Sequence, residues 1–421
     1  MNDVLPGEVD LWQHLERVLR DLLAAYGYAE IRVPILENTQ LFERAIGEHT
    51  DVVEKEMFTF KDDDESVTLR PEATAGIARA LISNGMLRGA RHKLWCMGPM
   101  FRHEKPQKGR YRQFHQVSVE AVGFPGPDAD IELIAFMARL WRTLGIERVR
   151  LQINSLGTPD SRRLYRAALT DYLRARESRL DADSRRRLTI NPLRILDSKL
   201  PETQALVADA PLLTEYLDAE SRAHFDTLCS ALRAIGIPFE VNPRLVRGLD
   251  YYSRTVFEWI TDALGSQDAV CSGGRYDGLI EQLGGEPTPG VGFAMGIERA
   301  VLLLRDAECG AEAPPADVYL ISQGAQAAAH ALQLVEQLRD TLPQVRFEVG
   351  LGGGNFKAQF RRADRSGATL ALILGEQELA RGSAALKPLR DESGQSECLL
   401  AELPARIETL LGGAARRTDG G

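Results

Sequence analysis

Leu11, Leu15, Leu19 and Leu22 recur every three to four residues, the spacing of one apolar helix face, and the pattern stops near Gly27. Ile31-Arg32-Val33, closed by Pro34, reads as a short strand. Met57 to Phe60 and Ser66 to Leu69 read as the arms of a hairpin around the acidic turn Lys61 to Glu65. That turn lacks the spaced pattern of a calcium loop and is expected to be a solvated tip. Pro71 fits the first turn of a helix running through Ala73, Ile77 and Leu81. Two strand-like runs follow within 92–123, around a basic segment containing Gly and Pro. In the second run Gln116, Ser118 and Glu120 alternate with Val117, Val119 and Ala121, so one strand face is polar and the other apolar. A helix over Asp128 to Gly145 and a strand over Val149 to Ile153 come next.

From about residue 160 to 236 the chain is rich in Arg, Leu, Ala and Asp at helical spacing, with little strand signal. It reads as a helical insertion between strand-rich halves, since strand and turn signals return over Phe239 to Leu304. Asp306 to Ala316, with Gly310 and Pro314-Pro315, makes a linker. Beyond it the strands Val318 to Ile321, Arg346 to Val349 and Leu370 to Leu374 alternate with helical patterns over Ala325 to Leu342 and Lys357 to Arg365. Such alternation predicts a small α/β domain with a mostly parallel sheet. The tail from Gly412 is expected to be disordered.

The 421 residues suit two or three domains, and 44% hydrophobic with 26% charged residues excludes a largely disordered chain. Lys and Arg number 51 against 60 Asp and Glu, a net charge of −9 that argues against binding nucleic acid through diffuse positive charge. Localising the charge changes that picture. Residues 318–421 hold 12 basic and 12 acidic residues, so the excess of acid lies upstream. Lys357, Arg361, Arg362 and Arg365 face only Asp364, and the window 101–112 holds five basic residues against one acidic. Basic patches on an acidic body disfavour indiscriminate binding and permit specific contacts. No apolar run approaches the roughly 18 residues of a membrane span, and no basic region precedes an apolar stretch at the N-terminus, so neither a span nor a signal peptide is expected. The five cysteines are scattered, odd in number and lack Cys-x-x-Cys spacing; a disulfide framework and a structural zinc are not expected, and a cytosolic protein with reduced thiols is.

Four segments could carry chemistry. Phe101-Arg102-His103-Glu104, with the basic loop to Arg112 and Phe114, offers guanidinium forks for a phosphate chain and a ring for a nucleobase; in isolation a solvated hairpin accounts for it as well. Gly290 to Arg299 has glycines at first, third and seventh places, so it is not a dinucleotide fingerprint, and close packing of strand on helix explains them. Gly352-Gly353-Gly354-Asn355-Phe356-Lys357 is not a P-loop for a similar reason. Arg247-Gly248-Leu249-Asp250-Tyr251-Tyr252 and Gly273-Gly274-Arg275-Tyr276-Asp277 look like walls of a small polar pocket, although tyrosines at strand starts are commonly packing residues. Arg70-Pro71-Glu72-Ala73-Thr74 puts a carboxylate and a hydroxyl at a helix start, where capping alone would explain them.

Taken together these segments resemble one family. Phe101 to Glu104 with its basic loop is similar to the second signature motif of class II aminoacyl-tRNA synthetases, and Gly290 to Arg299 to their third. Leu245 to Tyr252 and Gly273 to Asp277 resemble the two histidine-specific motifs of histidyl-tRNA synthetases, and the likeness runs from Asn2-Asp3-Val4-Leu5-Pro6 to Leu374-Gly375-Glu376 and near the end. The resemblance implies an α+β catalytic domain on an antiparallel sheet (1–160 and 237–310) with a helical insertion (161–236). A linker (311–316), a C-terminal α/β anticodon-binding domain (317–411) and the tail (412–421) complete the expected order. It implies ATP, L-histidine and tRNA(His) as substrates, Mg²⁺ with the ATP, no protein-ligated structural metal, a homodimer, a cytoplasmic location and no membrane partner.

Residue by residue, the resemblance implies that Arg102 contacts the α-phosphate, Glu104 the adenine amino group and Arg110 the outer phosphates, with Phe114 and Arg299 stacking on the two adenine faces. Arg247 would bridge the histidine carboxylate and the α-phosphate, which makes Arg102, Arg247 and Arg299 the expected catalytic set. Glu72 and Thr74, beside Ala73 and Gln116, would hold the α-ammonium; Glu120 and Tyr252, beside Tyr251 and Tyr276, would read the imidazole. Lys357, Arg361, Arg362 and Arg365 are the expected tRNA contacts. Two departures stand out: the family's usual residues ahead of Asn2, including an Arg-Gly pair, are not seen, so a shortened first strand or a different start is expected, and Ala73 replaces a common Gly. The alternative is the non-catalytic regulatory paralogue of histidine biosynthesis, which generally lacks the C-terminal domain and several substrate residues. A synthetase of other specificity fits the Arg247 to Tyr252 motif poorly, and an unrelated ATP-binding module leaves the C-terminal domain unexplained.

Overall fold

A computed structural model of the chain describes residues 2–47, 50–89, 91–107, 109–196, 198, 200–264, 269–307, 316–390 and 394–418, with the backbone alone for 413–418. The chain divides into two compact units, 1–311 and 312–421. Most of the expected linker, and the last three residues of the expected tail, lie outside the described residues.

In chain order the first unit contains α1 (Val9–Ala25), β1 (Ala29–Glu30), β2 (Leu36–Asn38), α2 (Thr39–Ile46), β3 (Phe58–Asp62), β4 (Glu65–Leu69), α3 (Thr74–Ser83), β5 (His92–Phe101), β6 (Gln113–Val122), α4 (Asp128–Thr143) and β7 (Arg150–Ser155). The helices α5 (Pro159–Arg174), α6 (Ala182–Ile190), α7 (Pro201–Val207) and α8 (Ala219–Ala234) follow. Then come β8 (Glu240–Val241), β9 (Ser253–Ile260), β10 (Ala269–Arg275), α9 (Leu279–Gln282), β11 (Gly290–Gly296) and α10 (Ile297–Asp306). Side-chain caps start several helices where the sequence offers them: Thr158 accepts from Ser161 N at 3.3 Å, and Asp218 from Ser221 N at 2.8 Å.

The main sheet has eight strands in the order β1-β5-β6-β11-β10-β9-β7-β8. Its inner pairs are all antiparallel, and only the short edge strands β1 and β8 pair in parallel. One face packs Val117, Val119, Ala121, Phe257 and Phe293 against the leucines of α1 and the apolar sides of α4, α8 and α10. On the other face Leu94, Cys96, Val122 and Val256 belong to a second core, shared with α2, α3 and α5 to α7. The helical segment therefore contributes to both cores of the first unit. A three-stranded sheet, β2-β4-β3, carries the hairpin.

Two local expectations shift. The first strand is Ala29–Glu30, and past its end Ile31 N donates to Trp95 O before the chain reaches Pro34. Helix α3 begins at Thr74, three residues past Pro71, because the Glu72 carboxylate holds its first N–H groups.

The second unit contains β12 (Val318–Gln323), α11 (Ala325–Thr341), β13 (Phe347–Val349), α12 (Phe356–Arg365), β14 (Leu370–Gly375), α13 (Glu376–Ala380), β15 (Ser383–Pro388), β16 (Ser396–Leu399) and α14 (Leu403–Thr418). Its sheet, β13-β12-β14-β15-β16, is parallel over the first three strands and antiparallel over the last two, so it is mixed rather than mostly parallel. The last two strands read Ser-Ala-Ala-Leu-Lys-Pro and Ser-Glu-Cys-Leu, without the β-branched and aromatic residues that mark a strand in sequence. Residues 412–418, expected to be disordered, continue α14. Among the described residues no helix is long and apolar enough to cross a membrane.

Candidate active site

On the polar face of β6 the main sheet floors a cavity of about 240 Å³. Gln116 and Glu120 face it, while Val117 and Val119 are fully buried beneath the sheet, as a period of two requires. Glu72, Thr74, Arg102, Glu104, Arg110, Phe114, Arg247, Tyr251, Tyr252, Tyr276 and Arg299 line the same cavity, drawn from β6, α3, α10 and four connecting segments. Ala73 does not line it; it is buried behind Glu72 and Thr74.

One end is acidic. Thr74 Oγ1 and Tyr276 Oη each donate to Glu120, both at 2.6 Å, and the carboxyl is pushed up to about 8 by burial, which outweighs those bonds, with Glu72 adding to the rise. Glu72 accepts from Thr74 N at 2.7 Å and Ala75 N at 2.8 Å, and burial raises its pKa as well. It caps α3, as the local sequence allows, and it also belongs to the cavity wall. Among the described residues neither carboxylate has a cation as a hydrogen-bond partner. Gln116 Oε1, also buried here, has no partner among the described residues. Three acceptors thus converge where a ligand with N–H donors or positive charge would satisfy them.

Space for these groups comes from missing side chains on neighbouring strands. A Cβ at Gly292 would lie 1.7 Å from Glu120 Oε2, and one at Gly290 would lie 2.2 Å from the Tyr276 ring. These two glycines make room for site residues, which corrects the expectation that strand-on-helix packing explains them. A bulge at Arg254–Thr255, where the β9–β10 register slips and Arg254 has φ 48°, bends the strand's start. There Tyr251 meets Tyr252 and Tyr276 with ring centroids 4.6 and 5.8 Å apart.

The opposite end is basic. Arg102 donates to Pro71 O at 3.0 Å and lies 5.6 Å over the Phe114 ring. Arg299 donates to Gly109 O at 3.0 Å and also to Ala269 O. Arg110 pairs with Glu104, and near them burial and then Glu104 raise the pKa of Glu56, against the pull of Arg102 and Arg110. Arg247 pairs with Glu258, to which Ser272 also donates at 3.2 Å, and stacks 5.3 Å over Tyr252. Among the described residues its buried Nε has no hydrogen-bond partner. A donor without an acceptor on this side complements the unpaired acceptor at Gln116.

The family model for histidyl-tRNA synthetase matches residues 1–300, and that for an anticodon binding domain matches 317–410. The chain belongs to the histidyl-tRNA synthetase family. Its fold is similar to that of apo histidyl-tRNA synthetase from S. aureus, at 33% identity over 97% of this chain and 98% of that one, with TM-score 0.81. Histidyl-tRNA synthetase from Nostoc sp. PCC 7120 shares the fold at 21% identity over 98% of both chains, TM-score 0.67. So does a Bacillus halodurans protein described as an ATP phosphoribosyltransferase regulatory subunit/histidyl-tRNA synthetase, at 22% identity over 86% of this chain and 94% of that one, TM-score 0.61.

Within this family member several supporting residues escaped the sequence. Glu258 pairs with Arg247 itself, and Glu298 accepts from the N–H of His115 beside Phe114, contacts visible only after folding. Arg275 turns away from the cavity: fully buried, it pairs with Asp130 and donates to Phe124 O at 2.8 Å, which fixes the end of β10 beside Tyr276. The helical segment reaches the loop before β9, since Arg194 donates to Gly248 O at 3.0 Å and Arg162 to Asp250 O at 3.4 Å. In the second unit Lys357, Arg361 and Arg365 are exposed at four-residue spacing on α12. Arg362 instead bonds Gly353 O, helping to hold the glycine turn.

Proposed function

We propose that the chain is a histidine–tRNA ligase, which joins L-histidine to ATP as histidyl-adenylate and passes the histidyl group to the terminal ribose of tRNA(His). The observation that carries this reading is the charge division of one cavity: two buried carboxylates that accept hydrogen bonds only from neutral donors among the described residues at one end, four arginines at the other. A histidine molecule offers an ammonium and two ring nitrogens to the first end and a carboxylate toward the second.

In this reading Glu72, Gln116 and Thr74 hold the α-ammonium, and Glu120 with Tyr252 and Tyr276 accepts the imidazole. Arg247 aligns the histidine carboxylate with the α-phosphate, while Arg102 and Arg110 hold the phosphate chain and Phe114 and Arg299 enclose the adenine, whose amino group Glu104 meets. A carboxylate oxygen attacks the α-phosphorus, the bond to the leaving pyrophosphate breaks, and charge accumulates between Arg102 and Arg247. Fixed guanidinium groups stabilise that charge without needing to reorganise. A ribose hydroxyl of the tRNA then attacks the histidyl carbonyl and releases AMP. ATP arrives as its Mg²⁺ complex, the ion carried by the triphosphate; among the described residues no three His, Cys, Asp or Glu side chains gather to hold one. Lys357, Arg361, Arg362 and Arg365 are assigned to the tRNA, and a cytoplasmic homodimer completes the reading on family resemblance.

The deciding measurement is ATP–pyrophosphate exchange over a panel of amino acids. Exchange with histidine alone is expected. Folded protein that shows none with any amino acid would instead favour the regulatory paralogue.

A further inference from the structure

Strands β6 and β11 pair as far as Gln116 and Gly296. Beyond that point β11 turns into α10, and the N–H of His115 no longer faces a strand carbonyl. The Glu298 carboxylate occupies the ladder position instead: each oxygen lies 2.9 Å from His115 N, and Oε1 lies 3.0 Å from Nδ1. Trp12 meets the His115 ring edge-on, with centroids 5.1 Å apart. His115 is the chain neighbour of Phe114, and Glu298 that of Arg299. One contact therefore ties together the segments that carry two walls of the cavity.

We propose that Glu298 is a positioning residue that sets the gap between Phe114 and Arg299, and so the fit of a planar base between them. The inference rests on the nucleotide-binding reading of this cavity. A strand carbonyl in the same place would hold His115 but would not couple it to the start of the helix that carries Arg299, whose guanidinium also donates to Gly109 O and Ala269 O. The carboxylate instead links the Phe114 segment directly to the start of α10 through one short contact. Removing it orphans a partly buried N–H and lets the start of α10 drift, and displacements of about 1 Å from a productive geometry cost roughly a hundredfold in rate.

The test compares wild type with Glu298→Ala, Glu298→Gln and His115→Ala in histidine-dependent exchange, with ATP and histidine titrated separately by calorimetry. For Glu298→Ala the KM and Kd for ATP should rise about tenfold to a hundredfold while those for histidine stay within about twofold. Glu298→Gln keeps an acceptor for the His115 N–H and should restore most of the loss. His115→Ala, which keeps the backbone N–H but removes the ring contact, should fall between. An equal rise for both substrates, or none for ATP, overturns the proposal. If Glu298→Ala does not fold, the other two decide, and wild-type ATP affinity in both overturns it. Wild-type protein that neither binds ATP nor catalyses exchange would overturn the nucleotide reading itself, a distinguishable failure.

Discussion

At the acidic end of the cavity Glu72 is held by two backbone N–H groups and Glu120 by two hydroxyls, all of them neutral donors. At the basic end Arg247 and Arg110 rest against carboxylates, while Arg102 and Arg299 donate to backbone oxygens. The first end holds buried acid groups that a ligand with positive charge or N–H donors would relieve, whereas at the second two of the four arginines are already paired with carboxylates. Affinity for the amino acid should therefore depend on protonation, and catalysis on how the arginines are aimed.

The strongest blow to this contrast is Arg247→Ala, which should slow adenylate formation about a thousandfold, the scale for losing a main transition-state donor. Its fold should persist, since burial of Tyr251 and Tyr252 does not require the guanidinium. Near wild-type exchange with an unchanged circular dichroism spectrum would remove Arg247 from its assigned role.

Glu120→Gln comes next and should raise the KM for histidine roughly a hundredfold, because an unmatched group in a reading pocket is what such sites use to reject ligands. Its stability should move the other way. The folded pKa of about 8 lies above the reference value of 4.5, so between those limits the folded state binds a proton that the unfolded state does not. The contribution of Glu120 to stability is complete below 4.5 and is lost as pH rises to about 8. The amide escapes this loss, so the Tm of the variant relative to wild type should be higher at pH 9 than at pH 5. A constant difference across that range would show that Glu120 is not held protonated. In wild type, histidine binding at pH 7 should release a proton, readable by calorimetry in buffers of different ionisation heat.

Phe114→Leu is the mildest test. Losing one stacking face, worth roughly 1–3 kcal/mol per base, should raise the KM for ATP about tenfold and leave that for histidine alone. A larger effect on histidine would mean that the two ends are not separable.

Much of the fold was legible because it rests on periodicity. The alternation from Gln116 to Ala121 sorted the strand's faces correctly, and the leucines of α1 marked its buried side. The contents of the cavity were legible because the motifs carry them locally. What the sequence could not reveal were partners brought from far along the chain: Glu298 lies 183 residues from His115, and Asp130 lies 145 from Arg275. Arg275 shows the cost of proximity reasoning, since the side chain next to Tyr276 points into a buried ion pair. The glycines were misread for the same reason, because what fills their missing volume comes from another strand.

The grip of Arg194 and Arg162 on the loop before β9 has a bearing on how this architecture can be shortened. The two carbonyls they hold, at Gly248 and Asp250, lie one and three residues past Arg247 in the chain. A descendant or a trimmed variant that discards residues 159–234 would lose the donors that pin this stretch as well as a block of helices. Trimming the insertion and keeping a well-aimed Arg247 are thus linked demands, and a minimal version of the protein would need new anchors for that loop before it needed anything else.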